Sequence, residues 1–108
     1  GELRYTNAYY VGDILNGKEH GFGTMNWANR DKYVGQWLNG EREGQGTYYW
    51  ANGDKYIGQF KNSKRHGQGT YYYSGGNSWS GEWRWGKKTE NGSNNKPPKE
   101  EAFYYPYF

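Results

Sequence analysis

The sequence predicts an all-β chain of successive β-hairpins. Three observations predict it. A unit of 23 residues recurs, starting at Tyr10, Tyr33, Tyr56 and, with a weaker pattern, Trp79. Each unit carries a turn dipeptide at one offset: Asn16-Gly17, Asn39-Gly40, Asn62-Ser63 and Trp85-Gly86. Around these turns, aromatic residues and glycines alternate with polar ones, the period of a strand whose successive side chains point to opposite faces. A fixed period of this length marks a repeat architecture, in which each unit buries its apolar face only against its neighbours.

Composition says what the core is made of. In 108 residues, enough for one domain, hydrophobic types make up 32% and the mean hydropathy is −1.37, so an ordinary aliphatic core is excluded. Aromatic residues at 21% and 18 glycines take its place. One buried ring removes roughly 150–250 Å² from water, and glycine backbone gives it a flat surface to lie on. Disordered chains are poor in aromatics, which excludes that class for the repeats. The net charge of +3 is spread along the chain and forms no basic stripe of the kind that binds nucleic acid. No cysteine is present, which removes thiol chemistry and cysteine-based zinc sites and fits a reducing compartment. No stretch approaches the roughly 20 apolar residues of a membrane-spanning helix.

Taken in order, the chain opens on Gly1–Tyr5, which aligns with Gly46–Trp50 and predicts half a repeat. In the second unit, an Asn39-Gly40 type I′ turn pairs Trp37 with Arg42, Gly35 with Gly44 and Tyr33 with Gly46. Tyr33, Gly35, Trp37, Arg42, Gly44, Gly46, Tyr48 and Trp50 then share one face. Val34, Gln36, Glu43, Gln45, Thr47 and Tyr49 take the other. Ala51–Lys55 is the wider loop to the next hairpin, and pairing Trp50 with Tyr56 across it keeps the ring face continuous. Past Gly92 the pattern stops. The expected divisions are a hairpin array over 1–92, a polar linker over 93–98 and an aromatic segment over 99–108, in which Phe103, Tyr104, Tyr105, Tyr107 and Phe108 need an apolar surface. That segment is expected to dock on its own sheet, around Tyr73, Trp79 and Trp83, or on a neighbouring copy.

The pattern Tyr-x-Gly-x-Trp-x-x-Gly-x-x-(His/Glu)-Gly-x-Gly, followed by Asn-Gly-Asp and another Tyr, resembles the MORN repeat. The resemblance is close over Tyr10–Ser78 and loose over Trp79–Gly92. It implies one elongated, single-layer antiparallel sheet of stacked β-hairpins that serves as a non-catalytic binding scaffold, in the cytoplasm at membranes or cytoskeletal structures.

Candidate sites arise on the two faces. His20 and His66 recur at one offset with Glu43 between them, and His20 falls opposite Asp13. A general-base pair would need a nucleophile that does not recur, and Glu43 fills the same place, so these positions read as structural. The histidines sit two hairpins apart, roughly 20 Å at ~4.8 Å per strand, too far to share one ion. Gly44-Gln45-Gly46 lacks the Lys and helix of a phosphate loop. Gly12, Gly21, Gly23, Gly35, Gly44, Gly46, Gly58, Gly67 and Gly69 instead read as structural glycines, there for ring packing and close strand approach. A single-layer sheet has no second layer to cover its ring face, and large uncovered apolar patches mark interaction surfaces. The expected partner groove is Tyr33, Trp37, Tyr48, Trp50, Tyr56, Phe60 and Tyr71, with Arg42, Arg65 and Glu19 beside the rings. Its expected occupant is a protein or peptide segment, with acidic lipid or glycan as alternatives. No cofactor, metal or nucleic acid is expected.

Overall fold

The computed structural model describes residues 1–97, and the aromatic segment 99–108, with its expected docking, lies outside them. The described residues form one nine-stranded sheet in strict chain order: β1 (Glu2–Tyr5), β2 (Ala8–Leu15), β3 (Lys18–Trp27), β4 (Lys32–Leu38), β5 (Glu41–Tyr49), β6 (Lys55–Lys61), β7 (Lys64–Tyr72), β8 (Ser78–Arg84) and β9 (Lys87–Asn95). Every neighbouring pair is antiparallel. The opening half-repeat is β1, where Leu3 stands opposite Tyr10 as Tyr48 stands opposite Tyr56.

The four predicted turns form with positive φ at both central residues. At Asn39 and Gly40 φ is 48° and 85°. Ser63 at 64° and Trp85 at 48° accept the same left-handed backbone without the glycine or asparagine that suits it best.

Register departs from simple alternation at one place in each hairpin. Trp37 pairs with Arg42, but Gly35 pairs with Gly46 and Tyr33 with Tyr48, so the expected Gly35–Gly44 and Tyr33–Gly46 pairs do not form. A bulge is the cause: Glu43, Gly44 and Gln45 together stand opposite Gln36. Gly44 turns through φ 89°, and the Gln36 side-chain oxygen accepts the Gln45 N–H at 2.6 Å. Gln59 does the same for Gln68 at 2.7 Å, and Asp13 for Phe22 at 3.0 Å. Two extra residues preserve parity, so Gly46 and Tyr48 remain on the ring face.

The nine structural glycines therefore fall into three groups rather than one. Gly23, Gly46 and Gly69 lie directly beneath a tyrosine ring. Gly12, Gly35 and Gly58 are the residues paired with them, and their task is close strand approach: a Cβ on Gly12 would strike the Gly23 backbone before it reached the Tyr10 hydroxyl. Gly21, Gly44 and Gly67 leave the ring face altogether. A Cβ on any of these would run into Asp13, Gln36 or Gln59, so the bulge and not a ring requires them.

Across the wide loop, Tyr48 rather than Trp50 pairs with Tyr56, because Trp50 N–H donates to Asp54 O and closes a tighter turn. At the C-terminal end, Ser93, Asn94 and Asn95 pair with Ser80, Trp79 and Ser78. The linker expected over 93–98 therefore opens inside β9.

The core is one zigzag of rings. Tyr10, Tyr33 and Tyr56 are fully buried, each lying on its glycine in the next strand. Each phenol donates to a carbonyl in its own strand, of Asp13, Gln36 and Gln59 respectively, at 2.7–2.8 Å. Trp37 meets Tyr10 and Tyr33 edge-to-face, Phe60 meets Tyr33 and Tyr56, and Trp83 meets Tyr56 and Trp79, all with centroids 5.0–5.5 Å apart. This geometry suits the ring quadrupole, and it couples each unit to the next. In the last unit Trp79 replaces the tyrosine and has no hydroxyl. There Thr89 Oγ1 donates to the Glu82 carbonyl instead, at 2.8 Å, so the acceptor is still satisfied.

Candidate functional site

The ring face divides into two columns, and only one is open. The zigzag column contains Tyr33, Trp37, Tyr56 and Phe60, all 5% exposed or less, and a partner on this face cannot reach their rings. Beside it, along the wide loops, runs a ladder of more open rings: Trp27, Tyr48, Trp50, Tyr71 and Tyr73. Successive centroids are 5.4, 4.6, 5.0 and 4.8 Å apart. Of the seven rings expected in the groove, the structure brings Tyr48, Trp50 and Tyr71 together here. Trp27 and Tyr73 belong with them.

Arg42 and Arg65 sit between the columns. The Arg42 guanidinium lies 5.3–5.9 Å from the rings of Trp27, Tyr33, Tyr48 and Phe60. Arg65 lies 4.6–5.5 Å from Trp50, Tyr71 and Trp83. One nitrogen of each is committed to the next hairpin turn, donating to Ser63 O at 2.7 Å and Gly86 O at 2.9 Å. Burial lowers the pKa of both below the ordinary arginine value, and Arg42 Nε is buried without a partner. Neither forms a salt bridge among the described residues, where the only two ion pairs are Arg4–Glu2 and Arg84–Glu82. With Tyr48, Trp50, Lys64 and Trp85 they line a cleft of about 270 Å³. Glu19, which holds this place in the first unit, is buried and accepts the Tyr5 hydroxyl at 2.9 Å.

The wide loops brace the ladder from one unit to the next. Asp31 accepts the Tyr48 hydroxyl at 2.7 Å and the Ala51 amide at 2.9 Å. Asp54 repeats this with Tyr71 at 2.6 Å and Ser74 at 2.9 Å. Burial, then the aspartate, pushes both phenols well above their ordinary range. The Tyr71 hydroxyl, then the Ser74 amide, holds Asp54 below the usual carboxylate value near 3.8. A carboxyl whose folded pKa is depressed adds stability above its unfolded pKa and loses it as pH falls through the folded value. Asp54→Asn is therefore expected to lower the melting temperature at pH 7 and to flatten its fall below about pH 4. Parallel acid limbs for variant and parent would refute the brace.

The opposite face carries a larger hollow, about 910 Å³, over the bulges of successive hairpins. Of its polar lining, Gln36 and Gln59 are bonded to bulge amides, while His20 Nδ1 is buried without a partner among the described residues. Phe22, Leu38 and Ile57 stand exposed among polar neighbours, the ordinary scatter of apolar residues on a folded surface. Gly21, Gly44 and Gly67 in its lining leave the space open, and the ladder is the better site because its rings are continuous. His66 lies there too, its Nδ1 accepting the Trp85 amide at 3.1 Å, while Glu43 accepts the Asn62 amide at 3.2 Å. Both tie a strand to the next turn, a structural task. Asp13 is held by the Phe22 amide rather than by His20, so no His–Asp pair forms. Among the described residues no cluster of three His, Asp or Glu could hold a metal ion.

Residues 10–32, 33–55, 56–78 and 79–93 each match the MORN repeat. The chain belongs to the MORN repeat family. MORN repeats are non-catalytic modules of protein and lipid contact. No curated protein matches the chain. The bulge partners Asp13, Gln36 and Gln59 escaped the sequence reading, although each stands eight residues before the glycine it supports.

Proposed function

We propose that this MORN array is a scaffold whose ladder, Trp27 to Tyr73, receives an extended protein segment carrying carboxylates beside aromatic or apolar side chains. One observation carries the reading: a continuous row of partly exposed rings contains two guanidinium groups with no carboxylate partner among the described residues. Tryptophan, tyrosine and arginine are the types that dominate binding hot spots. An incoming carboxylate would meet a cation already stripped of much of its water, where a charge-assisted hydrogen bond is about twice as strong as a neutral one. The balanced net charge of +3 favours a short acidic segment over a broad anionic membrane surface. A chain without cysteine suits the cytoplasm, where we place it.

The test is selection from a random linear peptide library against the parent and a Trp50→Ala/Tyr71→Ala variant, with anionic vesicles and oligosaccharides as parallel probes. Peptides pairing Asp or Glu with aromatics are expected to be enriched on the parent. Their affinity should fall by roughly 10²-fold in the variant, two anchors at about 1–2 kcal/mol each. Equal enrichment on both proteins, or saturable binding confined to vesicles or sugars, would overturn the reading.

A further inference from the structure

The path of the chain at its described C-terminal end says what can reach the ladder first. Asn94 and Asn95 are the last residues of β9 to pair, and Pro97 lies against Gly76, so close that a Cβ there would be 3.4 Å from its ring. Asn94, Asn95 and Lys96, with Tyr73 and Asn77, line a hollow of about 440 Å³. Tyr73 is the last ring of the ladder and 37% exposed. The chain thus leaves the sheet beside the open end of the ladder.

The loop braces end at the same point. Asp31 and Asp54 each take a tyrosine hydroxyl and an amide from the next unit. One unit on, Asn77 replaces the aspartate, Asn94 stands where the tyrosine would be, and Pro97, with no N–H, stands where the amide donor would be. Nothing in the repeat pattern binds the chain to the loop beyond this position.

The remaining residues read Pro98-Lys99-Glu100-Glu101-Ala102-Phe103-Tyr104-Tyr105-Pro106-Tyr107-Phe108. Two carboxylates precede five aromatic residues, the chemistry that the ladder and its cations select. Extended, these eleven residues reach roughly 36–40 Å at ~3.3–3.6 Å each. The ladder from Tyr73 to Trp27 is four steps of 4.6–5.4 Å between ring centroids. Lys88, its Nζ 5.1 Å from the Tyr73 centroid, adds a cation at the near end, and it too has no carboxylate partner among the described residues.

We propose that residues 98–108 are the ladder's own occupant: Glu100 and Glu101 pair with Lys88 and Arg65, and the aromatic residues lie across Tyr71, Trp50 and Tyr48. The proposal rests on the ladder being a binding site, and it makes the chain self-inhibited. A partner must displace a tethered segment whose effective concentration is in the millimolar range for a short linker.

The experiment uses the full chain, a Phe103→Ala/Tyr104→Ala/Tyr105→Ala variant and a Glu100→Lys/Glu101→Lys variant. A dye-labelled synthetic peptide of residues 98–108 is titrated into each by fluorescence anisotropy, and the mass of the parent is followed by light scattering. Both variants are expected to bind the peptide at least ~10-fold more tightly than the parent, because their ladders are vacated, and the parent is expected to stay monomeric. Equal binding by all three proteins overturns self-occupancy while leaving the ladder a peptide site. Binding by none overturns self-occupancy too, and the random-library selection then judges the ladder by itself. Dimerisation of the parent that the variants lose overturns it in favour of a neighbouring copy.

Discussion

Gly46→Val is expected to lower the melting temperature by roughly 12–24 °C, about 3 kcal/mol at ~4–8 °C per kcal/mol for a chain of this size. A Cβ at Gly46 would stand 2.5 Å from both Cζ and Cε1 of Tyr33 and nearer still to its hydroxyl. The ring cannot retreat. It is fully buried, its hydroxyl is bonded to Gln36 O at 2.8 Å, and Trp37 and Phe60 meet it edge-on at 5.0 and 5.1 Å. Nor can the backbone, since Gly46 is paired with Gly35 on one side and Gly58 on the other. Gly75→Ala supplies the control, with nothing within 4 Å of its added Cβ. Thermal unfolding followed by circular dichroism reads both. A Gly46→Val protein that melts with the parent would show that Tyr33 does not lie on this glycine.

Whatever repeats without interruption could be read from the sequence. The 23-residue spacing, the turns at Asn16, Asn39, Asn62 and Trp85, and the side-chain parity of both faces all arise from local chemistry, and all stand in the structure. Gly44 could not be placed by the same reasoning. Alternation counts every residue as one step, so it put Gly44 under a ring with Gly46. A bulge adds two residues to one strand and leaves parity intact beyond it, which is why Gly46 and Tyr48 came out on the right face while Gly44 and two pairs came out wrong. The sign that separates the two glycines is Gln36, which needs a backbone amide to bond and finds it at Gln45. The same shift gives Gly12 its partner: it faces Gly23 across β2 and β3, past the Asp13 bulge, and not Gly21.

Burial was harder to read than face. Tyr33 and Tyr48 share a face and pair across β4 and β5, yet one is fully buried and the other only partly. The difference arises between units, where Trp37, Phe60 and Trp83 close over the tyrosine column and nothing among the described residues closes over the column beside the loops. Periodicity within one unit carries no information about how the next unit's ring lies on it. That is why the expected groove mixed core rings with open ones, and why it lacked Trp27 and Tyr73.

Phe60 is the central link of that closure, and Phe60→Ala is expected to cost about 3–5 kcal/mol, the range for a buried ring. It is 5% exposed and meets two buried tyrosines edge-to-face at 5.1 Å: Tyr56 of its own unit, and Tyr33, the contact that joins the second unit to the third. In a repeat array, stability is approximately the sum of unit terms and nearest-neighbour terms. Removing the ring weakens one neighbour term in the middle while β5 and β6 still share their backbone pairing. Hydrogen exchange should therefore show protection diverging across this junction, with β2–β4 and β7–β9 opening at different free energies. A uniform loss of protection from β2 to β9 would contradict nearest-neighbour coupling through Phe60. The opposite change tests the same site from the other side. The equivalent positions hold Trp37, whose indole N–H donates to Gly23 O at 3.1 Å, and Trp83, which donates to Gly69 O at 3.0 Å. Phe60→Trp offers the same donor to the Gly46 carbonyl, beside Arg42 just as Trp83 lies beside Arg65. One added hydrogen bond at about 1 kcal/mol should raise the melting temperature by roughly 4–8 °C. A fall instead would mean that the second junction is shaped for phenylalanine alone and that the three links of the zigzag are not interchangeable.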